Sequence, residues 1–282
     1  MRAVVVGQDG EPTLTDVPEP DGPGELVRVL ACGLCGSDVE KLGDPARAGA
    51  VLGHEVVARL SDGRRVALGH HSACGECDRC RAGHESLCDV FAAPTIRPGG
   101  FAELARSQSW VELPDDVDDG RGTMVEPLAC VLRGSRQVPP GPVLVVGQGF
   151  IGTLFAAVLR HRGREVFAVD SDPRRTGPVP DGPVDAVVLA GQGGVDTALD
   201  AIAPGGTILV FADAGAIPAE AVYRRELTIV GSRSAAPQLM PEAVDLLGVL
   251  PLPEPTLLPL DRFAEGLELF RRRDVLKVVF TP

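Results

Sequence analysis

The sequence lacks a long apolar run and an excess of positive charge. No stretch approaches the roughly 18 apolar residues that a membrane span requires. Lys and Arg number 27 against 39 Asp and Glu, which gives a formal net charge of −12. This balance argues against a general nucleic-acid binder or an anionic-membrane binder, because both need positive charge to displace counterions. The N-terminal apolar residues reach Gly7 too soon for a secretory signal, so we expect a cytoplasmic protein.

The composition is that of a folded protein of about two domains. The 282 residues are 44% apolar and 23% charged. In the first third, short apolar runs alternate with turn residues, which predicts a small antiparallel β unit. The runs are 3–6, 25–30, 51–60 and 65–68.

The pattern changes after Pro139-Pro140-Gly141, where apolar runs begin to alternate with helical stretches. Such alternation is typical of a parallel sheet with helical crossovers. The predicted strands are 143–146, 165–169, 184–190, 207–211 and 227–230, and the predicted helices are 153–160 and 195–202. A helix over 260–272 and a strand over 275–280 complete the prediction.

Seven cysteines are unevenly distributed, and an odd count without a signal peptide fits a disulfide framework poorly. Four fall in a 15-residue window with the spacing C-x2-C-x2-C-x7-C, at Cys74, Cys77, Cys80 and Cys88. Four thiolates so placed can surround one zinc at about 2.3 Å, and the closed shell leaves no position for substrate. The window therefore predicts a structural zinc. His84 could replace one thiolate, but we interpret it as a solvated loop residue.

A glycine-rich motif directly follows the strand predicted at 143–146. Gly147, Gly149 and Gly152 form G-x-G-x-x-G and open a predicted helix. In a dinucleotide-binding fold the first glycine permits a tight turn, the second admits the pyrophosphate, and the third allows close packing. The helix N-terminus, at Phe150 and Ile151, would meet the phosphates through its exposed amides.

Asp170 lies 18 residues beyond the last glycine of this motif, at the end of the next predicted strand. There it would accept hydrogen bonds from the ribose hydroxyls, and its charge repels a 2′-phosphate. We therefore expect NAD to be preferred. Arg174 and Arg175 keep NADP as an alternative, because an arginine at this place can hold that phosphate.

Three separate segments supply candidate ligands for a second metal ion. They are Cys35-Gly36-Ser37-Asp38, Gly53-His54-Glu55 and Glu126-Pro127. Each is uninformative alone, but together they hold a thiolate, an imidazole and carboxylates, enough for a three-ligand zinc with one open position. An open zinc acts as the Lewis acid that an alcohol oxidation needs before hydride can leave.

Along the chain, Cys35 and Gly53-His54-Glu55 come first, the four-cysteine window second and the glycine-rich motif third. With its motifs in this order, the chain resembles a zinc-dependent medium-chain dehydrogenase/reductase, the superfamily of alcohol, sorbitol and threonine dehydrogenases. The resemblance covers essentially the whole chain. It implies an α/β protein with a GroES-like, β-rich catalytic domain at 1–131 and 253–282, and a shortened Rossmann domain at 132–252. It also implies a homo-oligomer, either a dimer or a tetramer.

The resemblance also implies roles for the residues of the second metal group. Cys35 and His54 correspond to ligands of a catalytic zinc, and Glu126 matches the position of the third ligand. Glu55 corresponds to a residue that enters or leaves the metal shell. Ser37 corresponds to the hydroxyl that passes the substrate proton toward the cofactor ribose.

Two further residues take roles from the same resemblance, and two cysteines match none of its ligand positions. Asp38 corresponds to a carboxylate that orients the ligand histidine. Lys277 falls where the family often has a basic residue near that carboxylate or the cofactor phosphates, which makes it a candidate cofactor-binding residue. Cys32 and Cys130 match no ligand position, and we interpret both as core thiols.

The chain departs from the family pattern at two places. Where many relatives have the outer histidine of the proton relay, this chain has Glu40, so either Glu40 or water would carry the proton. Only 13 residues, 171–183, separate the second predicted strand from 184–190, and four of them are prolines. No complete crossover helix fits there. We therefore predict that the family's third strand is absent, leaving the order 2-1-4-5-6 and a loop that crosses to the fourth strand.

The leading hypothesis is an oxidoreductase with two zinc ions per chain that transfers hydride between a secondary alcohol or polyol and NAD. One alternative is an NADP-dependent reductase of the same superfamily. A zinc-free quinone or enoyl reductase is disfavoured, because Cys35, His54 and Glu126 would then serve no purpose. A third alternative is a catalytically silent nucleotide-binding protein that keeps only the structural zinc.

Overall fold

The computed structural model describes residues 1–91, 93–234 and 237–282. Within them the strands are β1 (Arg2–Val6), β2 (Pro12–Asp16), β3 (Glu25–Gly33), β4 (Glu55–Arg59), β5 (Arg65–Leu68), β6 (Ile96–Arg97), β7 (Leu104–Ser107), β8 (Trp110–Glu112), β9 (Val143–Val146), β10 (Val166–Val169), β11 (Val184–Leu189), β12 (Ile202–Val210), β13 (Thr228–Gly231), β14 (Thr256–Pro259) and β15 (Val278–Thr281). The helices are α1 (Gly36–Lys41), α2 (Asp78–Arg81), α3 (Asp119–Gly122), α4 (Val125–Ser135), α5 (Phe150–His161), α6 (Val195–Ala201), α7 (Ala219–Arg225), α8 (Met240–Leu247) and α9 (Phe263–Arg271). None of these helices combines the length and the apolar character that a membrane crossing requires.

The chain divides into two compact units. Among the described residues, unit 1 contains 1–127, 237–249 and 253–282, and unit 2 contains 128–234 and 250–252. This division differs from the predicted boundaries at 131 and 252, because α8 belongs to unit 1. The Arg121 guanidinium, which lies in unit 1, donates to the carbonyl oxygen of Leu247 at 2.9 Å.

Unit 1 is built on an eight-stranded sheet. Its main path is β14-β15-β3-β4-β5-β8, and β7 pairs with both β3 and β6. All pairings are antiparallel except β14 with β15. Along β3 the side chains alternate, so that Val27 and Val29 are buried while Arg28 is exposed. This is the period of two expected for a sheet with one face on a core, and it confirms the predicted antiparallel unit.

One predicted strand of unit 1 is shorter than its apolar run suggested. The run at 51–60 becomes a strand only at Glu55, because Gly53 adopts a φ of +95°. A Cβ at this position would lie 2.9 Å from the Phe101 amide nitrogen and 2.7 Å from the Cys32 sulfur. Glycine therefore permits both the turn and the close approach, and His54 follows it directly before the start of β4.

Unit 2 contains a five-stranded parallel sheet in the order β10-β9-β11-β12-β13. All four residues of β9 are buried, as expected for a central strand covered on both faces. The second strand of the unit therefore lies at the edge, beside the first. This order confirms the prediction that the family's third strand is missing.

The loop after β10 takes a different path from the one predicted, since it first folds back along the strand edge. Gly177 donates to the Ala168 carbonyl at 2.9 Å, and the Ala168 amide donates to Pro178 at 3.3 Å. The Arg160 guanidinium donates to the carbonyl oxygen of Val166 at 3.1 Å. Among the described residues no strand pairs with this edge. The loop and the arginine occupy backbone groups that an open edge would offer to another chain.

Candidate functional site

Two neighbouring strands of unit 1 bring Cys35, His54 and Glu55 together. Cys35 follows the end of β3 and precedes α1, and Glu55 is the first residue of β4. In the antiparallel register Glu55 lies opposite Gly33. One ligand atom from each of the three residues lies within 4.8 Å of the others, and His54 and Glu55 are buried. We call these three residues the mixed-donor group.

The Asp38 carboxylate contacts the imidazole of this group. Its Oδ1 lies 3.2 Å from His54 Nδ1, and its Oδ2 accepts from the Cys35 amide at 3.3 Å. Burial favours the neutral acid, but the charge and hydrogen bond of His54 outweigh it, so the pKa of Asp38 is lowered. With Nδ1 turned to the carboxylate, Nε2 is the nitrogen left to bind a metal.

The contact with Asp38 also changes the pKa of His54. Burial disfavours its charged form, but the coulombic attraction of Asp38 and the hydrogen bond to it prevail, so the pKa of His54 is raised. Ser37 lies beside the group, and its hydroxyl donates to the Cys35 sulfur at 3.5 Å. A thiolate, an oriented imidazole and a carboxylate form a donor set that fits zinc.

Lys277 contacts the carboxylate of Glu55 in unit 1. Its Nζ forms an ion pair with Glu55 Oε2 and donates to the Leu34 carbonyl at 3.1 Å. Both side chains are 2% exposed. The ammonium is thus engaged with the Glu55 carboxylate in unit 1, and the role of Lys277 in cofactor binding stays a prediction.

Glu126 is buried near the start of α4, but it is not a member of the mixed-donor group. The carboxylate that the structure brings next to Cys35 and His54 is that of Glu55. The third-ligand role of Glu126 therefore stays a prediction.

The sequence analysis missed His70, whose ring stacks on that of His54. The centroids are 4.4 Å apart and the planes differ by 30°. His71 follows at 3.9 Å from His70, and the ring of Phe91 lies 4.2 Å from His71. Burial, together with the charges of His54 and His71, lowers the pKa of His70 to about 2. The only sequence signal was a histidine pair just before Cys74.

Cys74, Cys77, Cys80 and Cys88 form the second group, which we call the four-cysteine lobe. Their ligand atoms all lie within 4.8 Å of one another. The sulfurs of Cys77 and Cys80 are 3.5 Å apart, those of Cys74 and Cys88 3.6 Å, and those of Cys74 and Cys80 3.9 Å. A tetrahedron with Zn–S bonds of about 2.3 Å has edges of about 3.8 Å, whereas a disulfide needs about 2.05 Å. The lobe therefore fits zinc.

Backbone amides in the lobe favour thiolates. The Cys77 amide donates to the Cys74 sulfur at 3.3 Å, and the Cys74 amide donates to the Cys88 sulfur at 3.4 Å. Hydrogen bonds from the backbone of Glu76 and Cys77 lower the pKa of Cys74 to about 6. His84 is exposed and is not in this group. Cys32 and Cys130 are buried thiols, as predicted.

In unit 2 the glycine-rich motif joins β9 to α5. Gly147 has a φ of +91°, which only glycine adopts readily. A Cβ on Gly152 would collide with the carbonyl oxygen of Gly147, so the third glycine is needed for close packing. Phe150 and Ile151 begin α5, whose N-terminal amides form a natural anion site.

Asp170 lies against the glycine-rich motif just after the end of β10. Its Oδ2 accepts from the Gln148 amide at 2.6 Å, and its Oδ1 accepts from the Asp172 amide at 2.8 Å. Arg174 pairs with Asp172 through Nε at 2.9 Å and Nη2 at 2.6 Å, and Arg175 Nε lies 3.9 Å from the same carboxylate. The hydrogen bond from Arg174 lowers the pKa of Asp172 to about 2.

Comparison with known proteins places these groups in context. The family described as "Alcohol dehydrogenase GroES-like domain" matches residues 22–115. D-altritol 5-dehydrogenase of Agrobacterium fabrum is 31% identical over 88% of this chain and 88% of its own. L-threonine 3-dehydrogenase of Streptomyces avermitilis is 34% identical over 62% of this chain and 58% of its own. The chain thus spans little more than half of the second relative.

The architecture has close counterparts among solved structures. Alcohol dehydrogenase TADH from Thermus sp. ATN1 superposes with a TM-score of 0.83 at 26% identity, over 100% of this chain and 99% of that protein. Coverage of both chains on this scale extends the similarity from the matched GroES-like segment to unit 2.

Proposed function

Because the chain belongs to the medium-chain dehydrogenase/reductase family, we propose that it is a zinc-dependent dehydrogenase that passes hydride from a secondary alcohol or polyol to NAD⁺. The observation that carries this proposal is the mixed-donor group, in which a thiolate, an imidazole and a carboxylate converge with Asp38 behind the imidazole. A protein that kept only a structural zinc would not need this buried arrangement.

Cys35 and His54 would hold the catalytic zinc, since their ligand atoms are adjacent and the histidine is already oriented by Asp38. A carboxylate from Glu55 or Glu126 would complete the protein ligands. When bound, zinc supplies a Lewis acid for the substrate oxygen. The buried ion pair with Lys277 gives Glu55 a second partner, which supports a role in which this carboxylate exchanges between the metal and the lysine.

Ser37 would take the proton of the substrate hydroxyl. Its own hydroxyl contacts the sulfur of Cys35, so it lies next to the metal position. A serine can accept one proton while donating another, which suits it to a relay. Beyond Ser37 the proton would pass to water or to Glu40.

NAD would bind at the glycine-rich motif, with its phosphates on the N-terminus of α5 and its ribose on Asp170. When bound, NAD⁺ accepts the hydride. Two contacts support NAD over NADP: Asp170 faces the glycine-rich motif, and Arg174 is paired with Asp172. A carboxylate that neutralises this arginine weakens the attraction for a 2′-phosphate.

The experiment is a screen of polyols, sugars, amino-cyclitols and simple alcohols for NADH production by the purified protein. We expect turnover of at least one secondary alcohol or polyol, and its loss in Cys35→Ser. Activity that survives Cys35→Ser would contradict the zinc mechanism. A preference for NADP⁺ would show that the arginines, and not Asp170, decide the cofactor.

A further inference from the structure

His70 is a half-buried aromatic residue that the proposed reaction does not use. It follows β5 by two residues, and its ring lies against the ring of His54 at a centroid distance of 4.4 Å. Two of the groups that contact His54 are the Asp38 carboxylate at Nδ1 and the ring of His70 against its face. A hydrogen bond at Nδ1 holds the edge of the imidazole, whereas contact with the ring face limits the tilt of its plane.

Hydrogen bonds to backbone carbonyls hold His70 in place. The Thr95 hydroxyl is buried and lies 2.6 Å from the Gly69 carbonyl oxygen and 2.5 Å from that of His70. A hydroxyl so placed donates to this pair of carbonyls and anchors the segment after β5.

The rings beyond His70 lead to the four-cysteine lobe. His71 contacts His70 at 3.9 Å, and its Nδ1 lies 3.0 Å from the Phe91 carbonyl oxygen. The ring of Phe91 packs with Cys80 and Cys88 in a small buried cluster. His54, His70, His71 and Phe91 therefore form a continuous column of rings from the mixed-donor group to the lobe.

We propose that His70 is a positioning residue for the catalytic metal site, holding the plane of the His54 ring by stacking while Asp38 fixes its edge. This inference rests on the proposed function in one respect, namely that His54 binds zinc. The stack uses the face of the His70 ring, so a phenyl ring should serve in its place.

The test compares His70→Phe, His70→Ala and His70→Leu with the wild type, and His84→Ala serves as the matched control because His84 is exposed and outside the column. Zinc affinity is measured by competition with a chelator. The geometry of the metal site at the mixed-donor group is measured by the absorption bands of the Co²⁺-substituted protein. Removal of groups that orient metal ligands costs about 10- to 100-fold in affinity. We expect that loss for His70→Ala, with changed cobalt bands and an intact four-cysteine site.

His70→Phe should retain the wild-type affinity and bands, and His84→Ala should change neither. Where a substrate is turned over, His70→Ala should lower kcat and leave the KM for NAD⁺ unchanged. If His70→Ala does not fold, His70→Leu fills the space without an aromatic face and should show the same weakened site.

Wild-type affinity and bands in His70→Ala or His70→Leu would overturn the role of His70. A loss of zinc affinity in His70→Phe as large as that in His70→Ala would also overturn this role, because the ring nitrogens and not the ring face would then matter. A wild-type chain that binds a single metal ion would contradict the proposed function itself and, with it, the role of His70. The wild-type metal count thus separates the two failures.

Discussion

The four-cysteine lobe and the mixed-donor group hold metal-binding side chains in opposite ways. The lobe takes all its ligands from 15 consecutive residues, and backbone amides of the same segment donate to two of its sulfurs. The mixed-donor group takes its residues from the segment after β3 and from the start of β4, and adds an orienting acid, a buried ion pair and a stacked ring. A closed, locally built site serves folding, whereas an open site needs supports from elsewhere in the fold to keep a coordination position for substrate.

The largest effect should come from the lobe, in Cys77→Ser. Metal binding by four thiolates is coupled to folding of the segment, so we expect a loss of more than about 4 kcal/mol in the free energy of unfolding. Thermal and chemical denaturation followed by circular dichroism measures it, with His84→Ala as the control from the same stretch of chain, 74–88. A Cys77→Ser protein as stable as His84→Ala would mean that the lobe has no structural role.

The ion pair beside the mixed-donor group gives the next largest effect. Glu55→Gln leaves the Lys277 ammonium buried without its carboxylate, which should destabilise the fold by about 3–5 kcal/mol. Lys277→Met combined with Glu55→Gln should recover part of this loss, because neither charge then remains buried. Denaturation of the two single variants and the double variant forms the cycle, and additive losses would show that the two residues are not coupled.

Cys35→Ser should distinguish the two metal groups by separating activity from stability. We expect kcat to fall by more than about 100-fold, because a metal ligand is lost, while the free energy of unfolding changes by less than about 1 kcal/mol. The assay is NADH production alongside denaturation. A fall in stability equal to that of Cys77→Ser would remove the distinction between an open and a closed site.

The smallest effect concerns the cofactor in unit 2. Asp170→Ser removes charged hydrogen bonds worth about 1.5–3 kcal/mol, so the kcat/KM for NAD⁺ should fall roughly 10- to 100-fold. Asp172→Ala, which removes the carboxylate that holds Arg174, should instead raise the kcat/KM for NADP⁺. An Asp170→Ser enzyme with unchanged NAD⁺ kinetics would show that the ribose is bound elsewhere.

The difference between the groups also explains what sequence reasoning could reach. The lobe was predicted correctly because ligand spacing within a few residues fixes its geometry. The contact between Glu55 and Lys277 joins residues 222 positions apart. Which carboxylate Lys277 meets depends on the pairing of β15 with β3 and of β3 with β4. No pattern along the sequence predicts this contact, and the role of Lys277 at the cofactor stays a prediction.

In unit 2 the prolines of 171–183 were enough to exclude a crossover helix and to predict the strand order correctly. They did not reveal that Gly177 and Pro178 bond to Ala168, because that depends on the loop's backbone path. The stack of His70 on His54 was equally hidden. A histidine pair after a strand has no sequence pattern that predicts which ring it will contact.

The most direct test of the account is the number of zinc ions bound per chain, measured by elemental analysis of protein purified without chelator. The account predicts two zinc ions in the wild type, one in Cys35→Ser, and retention of the lobe zinc in that variant. One zinc ion in both proteins would contradict the central claim, because the mixed-donor group would then hold no metal.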